Sequence, residues 1–395
     1  MGKRWHQMRL GGSLALPVLV LLGALLCPLV GLAADQNVVV TLAPMEGRAS
    51  TVSGRVVVED QQGGILLEDP AGVYWTLEAK DIVSRAVGEK AFERAGAKEL
   101  AESLKAVAGG EAVVVETKNY VIVSRASRAY AGWCGSMFER LRNGFLSHWE
   151  REKVELTPNT SPLPILILQN KGQFREYAVR DGAAEAAETF GYYSARTNRV
   201  VMYDLTADQG GPTLGEATQR EEITRRLSRV PASVATIVHE AVHQLSFNTG
   251  LQVRYADNPM WVSEGLAMYF ETPDFGSGGR WTSAGKVNPW RLKEFQSSVA
   301  GRPAESLTTL IQSEDRFREA GRASAAYAES WVLVHYLATR RKEQWAAYVK
   351  GLRDRPVLVF PTPEERVAEF KRSFGEDVAG LDRDVVKYAA GLRGR

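Results

Sequence analysis

One short motif restricts the fold of this chain more than any other feature: the H-E-x-x-H sequence His239-Glu240-Ala241-Val242-His243. Two imidazoles four residues apart share one face on an α-helix, where they can aim at a single point. The flanking residues suit a helix, because Pro231 fits its first position, no breaker follows up to Phe247, and Asn248-Thr249-Gly250 ends it. The motif therefore predicts a helix that carries both histidines on one side.

A carboxylate is available to complete a metal site beside these histidines. Catalytic zinc takes about three protein ligands and leaves one position for water. A second amphipathic helix is predicted over residues 261–271, and it carries Glu264. The segment of chain between His243 and Glu264 is long enough for one helix to end, for the chain to reverse and for the second helix to lie alongside the first. The predicted ligand set is two histidines and one glutamate, with Glu240 in reach of a metal-bound water.

Together the two segments resemble the gluzincin (peptidase MA-like) zinc metallopeptidases, in which H-E-x-x-H is followed by W-x-x-E-G-x-A-x-Y-x-E, here residues 261–271. Among these, the chain is most similar to a branch of exported proteins defined by a domain of unknown function. The resemblance implies that His239, His243 and Glu264 bind one Zn²⁺ ion. It also implies that Glu240 is the general base of a peptidase.

The resemblance implies roles for residues outside the ligand set. Asn248 and Glu271 fall where relatives of the aminopeptidase type keep an asparagine and a glutamate. Two helical turns put Glu271 on the face of Glu264, where it can hydrogen-bond a ligand imidazole. Tyr327 matches a tyrosine that donates a hydrogen bond to the oxyanion in the same relatives. A surface role for Glu271 and a role in core formation for Tyr327 stay open, and His335 is expected to be a core histidine.

One departure from these relatives concerns the substrate. Aminopeptidase relatives carry a G-x-M-E-N segment on an edge strand, and its glutamate binds the free amine of the substrate. The corresponding strands here, over residues 191–194 and 200–203, contain no glutamate. The expected substrate is therefore an internal bond of a peptide or protein, and the expected activity is that of an endopeptidase. The edge strand at Tyr192 and Tyr193 is predicted to bind an extended peptide through its backbone.

The rest of the chain predicts an α+β protein in which strands precede helices. Short β-type runs separated by turns indicate a small SH3-like β-barrel over residues 35–88. Residues 89–110 are predicted to form a helical connector. A metallopeptidase-like domain is expected over residues 111–395, with a mixed sheet followed mainly by helices.

The N-terminus predicts export. Three basic residues precede an apolar run from Leu14 to Leu32, and small residues follow it, which is the layout of a signal peptide over residues 1–33. An uncleaved anchor is the competing interpretation. Cleavage leaves Cys134 alone, so the mature chain has neither an internal disulfide nor a thiolate metal site. We expect a periplasmic or extracellular protein that touches a membrane only if the N-terminal segment is uncleaved.

Composition and charge exclude two broad classes. With 45% hydrophobic and 24% charged residues the chain is globular rather than disordered, and a formal net charge of +2 gives no basic excess for nucleic acid. Two other classes stay open: a zinc-binding protein without hydrolytic activity, and an envelope scaffold or interaction protein with a vestigial site. Structural zinc usually has four ligands, often cysteines, and this favours the peptidase.

Overall fold

The computed structural model describes residues 36–44, 49–207, 216–276, 281–319 and 321–393. The fold is α+β as predicted: two sheets come first and a mainly helical part follows. The predicted signal peptide over residues 1–33 lies outside the described residues. None of the helices in the described ranges has the length and apolar character that a bilayer crossing requires.

The first sheet is an antiparallel meander with the strand order β4-β3-β2-β1-β5. Its strands are β1 (Val38–Leu42), β2 (Thr51–Glu59), β3 (Ile65–Glu68), β4 (Tyr74–Leu77) and β5 (Ile82–Val87). Buried and half-buried residues alternate along β1, so Val38, Val40 and Leu42 point to one face. They form a small core with apolar residues of the other strands.

This sheet differs from the predicted barrel in that it does not close. Strands β4 and β5 are its two edges, and within the described residues they are not paired with each other. The outer edge of β4 faces the second sheet instead, where the backbone N–H of Tyr74 donates to the carbonyl oxygen of Arg196 at 2.7 Å. Because another part of the chain takes this donor, β4 does not use it to pair with β5.

The predicted helical connector is helical only in its second half, where α1 spans Ala97–Ala108. Residues 89–96 form no helix. Within this segment, the guanidinium group of Arg94 donates a hydrogen bond to the carboxylate of Glu68 in the first sheet. The apolar face of α1 is buried in the main core. The helix therefore contributes to the core of the larger unit.

The second sheet is mixed and has the strand order β6-β7-β8-β10-β9. Its strands are β6 (Val113–Glu116), β7 (Tyr120–Ser124), β8 (Leu163–Leu168), β9 (Gly191–Ser194) and β10 (Arg199–Tyr203). Strand β8 runs parallel to both of its neighbours and is buried along its whole length, which its continuous apolar sequence predicts. Strand β9 is antiparallel to β10 and forms one edge.

Helices cover the second sheet and make up the rest of the chain. Before the H-E-x-x-H motif come α2 (Arg128–Arg151), α3 (Lys171–Arg180) and α4 (Glu216–Leu227). The motif lies on α5 (Pro231–Asn248), followed by α6 (Met260–Phe270) and α7 (Pro289–Ser298). The chain continues with α8 (Ser306–Gln312), α9 (Asp315–Arg318), α10 (Ala323–Arg340), α11 (Lys342–Leu352), α12 (Pro363–Phe374) and α13 (Val378–Gly391). Helix α5 lies against β9, β10 and α6, and α6 lies against α10.

Helices α6 and α10 approach each other most closely at Gly265. A Cβ atom on this residue would lie 2.7 Å from the carbonyl oxygen of Ser330 and 2.5 Å from Cγ2 of Val334, and neither distance is tolerable. The missing side chain therefore lets the two backbones meet. Since Glu264 is the preceding residue, this contact also fixes the position of that carboxylate.

We expect Gly265→Ala to destabilise the protein by about 1–3 kcal/mol, because the added methyl group overpacks a helix contact that includes backbone atoms. Gly351→Ala is the matched control, since Gly351 is also helical and its added Cβ would meet nothing within 4 Å. Guanidinium unfolding measures both variants. The unfolding midpoint should fall for Gly265→Ala and should stay the same or rise for Gly351→Ala. Equal midpoints would contradict the prediction, because they would show that α6 and α10 can move apart with little loss in the free energy of unfolding.

Candidate metal centre

Helix α5 holds the motif in the interior of the protein. It begins at Pro231. Proline has no backbone N–H, but N–H groups in the first turn of a helix have no acceptor within the helix, so no hydrogen bond is lost. The helix ends at Asn248, and Gly250 then takes the left-handed conformation with φ +70°. The rings of His239 and His243 lie on one side of α5 with their centroids 4.8 Å apart. This is the arrangement that the spacing of the motif predicts.

The connection from α5 to α6 is fixed by polar contacts. The side-chain amide of Asn258 donates to two carbonyl oxygens of the same turn, at 2.8 and 3.0 Å. The buried carboxylate of Asp257 binds the guanidinium groups of Arg355 and Arg366. Pro259 then serves as the N-cap residue of α6. These contacts set where α6 starts and therefore which way its first turns face.

Glu264 on α6 reaches both imidazoles. Its Oε2 lies 3.1 Å from Nε2 of His239, and its Oε1 lies 3.7 Å from Nε2 of His243. The three buried residues offer ligand atoms that all lie within 4.8 Å of one another. Ligand atoms around a tetrahedral zinc ion, with bonds of ~2.0–2.1 Å, are about 3.3 Å apart. The two distances from the Glu264 carboxylate, 3.1 and 3.7 Å, are close to this value, so the triplet could hold a metal ion.

One atom of the triplet has an unmet bonding need. Nε2 of His243 is buried and has no hydrogen-bond partner in the described part of the chain. Buried polar atoms are nearly always paired, and an unpaired one destabilises a protein by about 1–3 kcal/mol. Burial lowers the pKa of His243 to about 4, so the ring is neutral and can offer a lone pair to a metal. A cation at this point would satisfy the atom.

The other histidine of the triplet, His239, is bonded by Glu271, which follows α6 directly. Oε2 of Glu271 lies 2.9 Å from Nδ1 of His239. A carboxylate on this nitrogen fixes the ring orientation and directs Nε2 towards the ligand point. Oε1 of Glu271 accepts hydrogen bonds from Asn288 at 2.7 Å and from Arg291 at 2.9 Å. The sequence suggested the contact of Glu271 with an imidazole but gave no sign of Asn288 or Arg291.

Asn288 has two functions, and only one of them leaves a signal in the sequence. Its Oδ1 accepts hydrogen bonds from the backbone N–H groups of Trp290 and Arg291, so it caps α7. An asparagine before Pro289 is a recognisable helix start. That the same side chain also donates to Glu271 depends on how α7 lies against α6, which no local pattern reports.

The charges in this cluster balance each other. Burial disfavours the charged form of His239, but hydrogen bonds to Glu264 and Glu271 outweigh burial and raise its pKa to about 10. Burial likewise opposes the charge of Glu271, yet Arg291 and His239 bring its pKa down to about 2. Burial is also outweighed at Glu264, whose pKa the two imidazoles hold below its ordinary value. Without a metal, His239 is therefore an imidazolium between two carboxylates.

Glu240 lies between the metal cluster and the second sheet. Its Oε2 accepts a hydrogen bond from the backbone N–H of Tyr193 at 2.9 Å. Burial raises the pKa of Glu240 to about 8, although His239 and the Tyr193 N–H act in the opposite direction. A carboxyl group with a pKa near neutrality is suited to accept a proton and to return it.

Strand β9 differs from the open edge that the sequence suggested. All of its residues are buried and α5 lies against it. The N–H of Tyr193 is bonded to Glu240, so it is not available to an added strand. The hydroxyl groups also point inward, since Tyr192 donates to Asp181 and Tyr193 donates to Asn198, each at 2.9 Å. Of the two tyrosines only Tyr193 contacts the site, and its N–H is not free to bind a peptide.

Asn248 lies near the end of α5 and contacts neither imidazole. Its amide nitrogen donates to Asn198 and to the carbonyl oxygen of Gln244, each at 2.7 Å. It comes five residues after His243, and five residues rotate an α-helix by about 140° beyond a full turn. The side chain is therefore directed towards the β9–β10 turn.

Helix α10 carries two residues that the sequence analysis considered, Tyr327 and His335. Tyr327 is buried, and burial together with the charge of Glu264 raises its pKa well above the ordinary value, so the phenol keeps its proton. Its ring is held edge-on against Phe317 with 5.3 Å between centroids. His335 lies farther along α10, where its nitrogens contact the hydroxyl of Tyr388 at 2.8 Å and the carbonyl oxygen of Gly285 at 3.1 Å. His335 is a core histidine with both nitrogens satisfied, as expected.

Comparison with known proteins gives one family match. Residues 233–358 match a family described as proteins of unknown function, DUF1570. The matched range starts inside α5 and includes α6, α7 and α10, and with them His239, Glu240, His243 and Glu264. It does not include either strand of the β9–β10 hairpin. No curated protein matches the chain. Part of the chain is thus similar to a family of unknown function, and the matched range includes the candidate metal centre.

Proposed function

We propose that this protein is a zinc-dependent peptidase of the gluzincin type that hydrolyses internal peptide bonds. The observation that supports this proposal is the convergence of His239, His243 and Glu264 on one point, with the carboxyl group of Glu240 beside them. The unpaired Nε2 of His243 and the support of His239 by Glu271 fit the same proposal.

Each residue would have a distinct task in the reaction. A zinc ion held by the triplet would polarise the scissile carbonyl and lower the pKa of a bound water towards ~7. Glu240 would accept the proton of the attacking water and pass it to the leaving amine. The N–H of Tyr193 would hold the Glu240 carboxylate in place during both transfers. Tyr327, which stays protonated, would donate a hydrogen bond to the developing oxyanion.

An internal peptide bond suits the composition of the β9–β10 hairpin. A peptidase that recognises a free amino terminus needs a carboxylate to bind its charge. Neither β9 nor β10 contains an acidic residue. The nearby carboxylate of Asp181 is already engaged with the hydroxyl of Tyr192 and the guanidinium of Arg196. We therefore propose endopeptidase rather than aminopeptidase activity.

A metal-binding protein without hydrolytic activity is the second candidate, and the burial of the site favours it. His239, His243 and Glu264 are each 2% exposed and Glu240 is 5% exposed. A catalytic centre has to admit a peptide, whereas a structural or storage site does not. Zinc binding without cleavage of any peptide would identify this alternative.

We also propose that the protein is exported. The support is the signal-like N-terminus together with Cys134, which is buried and whose thiol pKa burial raises. A buried thiol of this kind is unreactive, so an oxidising compartment would not damage it. Sequencing of the N-terminus of the protein recovered from its native host tests cleavage directly.

The first prediction concerns the metal. We expect the purified protein to hold about one zinc ion per chain. Glu264→Gln should lose most of its zinc, because a neutral amide would replace the only negatively charged group of the proposed ligand set. The exposed ion pair of Glu188 with Arg175 supplies the control, Glu188→Gln, which should keep its zinc. Elemental analysis after dialysis measures all three proteins. Zinc retention by Glu264→Gln would exclude Glu264 as a ligand, and absence of zinc from the wild type would refute the proposal.

The second prediction concerns pH. Zinc needs a neutral His239, whose pKa is about 10 without the metal, so binding at neutral pH must release its proton. Affinity should therefore increase by at least about tenfold for each pH unit between about 6 and 8. In Glu271→Gln, which loses one of the two carboxylates that raise this pKa, the increase should be smaller and the affinity about 10–100-fold lower. Competition with a chromogenic chelator measures both slopes, and a pH-independent affinity in the wild type would contradict the assignment.

The third prediction concerns catalysis. Glu240→Gln should keep its zinc, because Glu240 is not a ligand, and should lose at least about 10²–10⁴-fold in kcat/KM, because no base remains for the water proton. A library of fluorogenic peptides with blocked ends, with and without chelator, measures the activity. Glu188→Gln again serves as the control and should match the wild type. Normal turnover by Glu240→Gln would remove this residue from the mechanism.

A further inference from the structure

A cavity of about 310 Å³ lies between the first sheet and the larger unit, away from the predicted zinc ligands. Its wall includes Arg55, Arg94, Gln252 and Arg254. Small-molecule sites usually have volumes of about 300–1,000 Å³, and they occur preferentially at domain interfaces. None of the residues of the metal cluster lines this cavity, so a ligand could bind here whether or not the protein is a peptidase.

The cavity has an excess of positive charge. All three arginines bind the single carboxylate of Glu68, which is fully buried: Arg55 at 2.7 and 2.8 Å, Arg254 at 2.6 Å, and Arg94 through Nη2. Among the described residues, the lining includes no aspartate and no glutamate. Three guanidinium charges therefore surround one carboxylate, and within the same part of the chain two positive charges remain without a counter-charge in the wall.

Several donors in the wall are still free to bind a ligand. Within the described residues, Arg94 uses only Nη2 and Arg55 uses only Nε and Nη2 for hydrogen bonds to protein. Their side chains are 28% and 33% exposed, whereas that of Arg254 is 5% exposed. Both polar atoms of the Gln252 side chain are buried and have no partner in the described part of the chain. A site that has unused guanidinium donors and an unsatisfied amide can accept an acceptor-rich group.

The side chain of Arg254 holds part of the cavity wall in place through its contacts with Tyr74 and with backbone carbonyl groups. The guanidinium of Arg254 donates to the carbonyl oxygens of Gly72 and Ala195 at 2.8 and 3.1 Å. It also lies 3.8 Å from the centroid of the Tyr74 ring. These contacts join the first sheet to the β9–β10 region. A ligand here would meet a wall that is already in place, which lowers the entropy lost on binding.

We propose that this cavity binds a small organic anion through a carboxylate or phosphate group. Arg55 and Arg94 would supply charge-assisted hydrogen bonds to its oxygens. The remaining wall, which includes hydroxyl groups of the 157–161 loop and the rings of Tyr74 and Phe247, would contact an uncharged body. A bound anion would neutralise the charge excess and bridge the two units, so it would also stabilise the fold.

Titration calorimetry and thermal unfolding of the full chain test the proposal with four probes: inorganic phosphate, glucose 6-phosphate, citrate and uncharged glucose. At constant ionic strength we expect at least one anion to bind and to raise the unfolding midpoint, and glucose to do neither. Preference for the two phosphates or for citrate distinguishes a phosphate site from a carboxylate site. If no anion binds at concentrations up to about 10 mM, the proposal fails.

Arg94→Gln should weaken the binding of that anion by at least about tenfold, because it removes one charge and the guanidinium donors. Arg55→Gln, a second removal on the same wall, should do the same, and circular dichroism verifies that both variants are folded. Arg175→Gln is the matched control, since Arg175 is also paired with one glutamate but lies on the surface. Equal affinity in the wild type and in the two cavity variants would place the anion elsewhere and overturn the proposal.

Discussion

The placement of one carboxylate against two buried imidazoles is the constraint on which the candidate site depends. Helix α5 supplies the imidazoles, but a helix alone cannot bring a third ligand atom to the same point. That atom comes from α6, whose position is set by the contact of Gly265 with α10 and by the polar contacts of the α5–α6 connection. The candidate metal centre is therefore a property of helix arrangement, and a change in the contact between α6 and α10 would alter it without changing any of its three residues.

The charges of the cluster explain how such a site can stay buried. Without a metal, the carboxylates of Glu264 and Glu271 are balanced by Arg291 and by a protonated His239, and Glu240 is held in its neutral form by burial. A dication that displaces one proton from His239 and one from Glu240 leaves the total charge unchanged. Charge neutrality is what a buried site requires, since an uncompensated charge destabilises a protein by several kcal/mol. Two protons and a bound dication would therefore compensate the same negative charges of the cluster.

The sequence was sufficient where the determining interactions are local. The bounds of α5 and the shared face of His239 and His243 follow from spacing, breakers and helix geometry. Two of the predictions that depended on long-range contacts turned out differently: the first sheet stays open, with β4 facing Arg196, and the N–H of Tyr193 is bonded to Glu240. Such contacts join residues far apart in sequence, and they leave no periodic or compositional signal.

The two candidate sites are connected by a short series of hydrogen bonds. Tyr193 donates its backbone N–H to Glu240 and its hydroxyl to Asn198. Asn198 is paired with Asn248, and both line the arginine-rich cavity. A ligand that displaced Asn198 would act on Glu240 through this one residue of β9. Any coupling through this series would be reciprocal: an anion that changed zinc affinity by some factor would have its own affinity changed by zinc by the same factor.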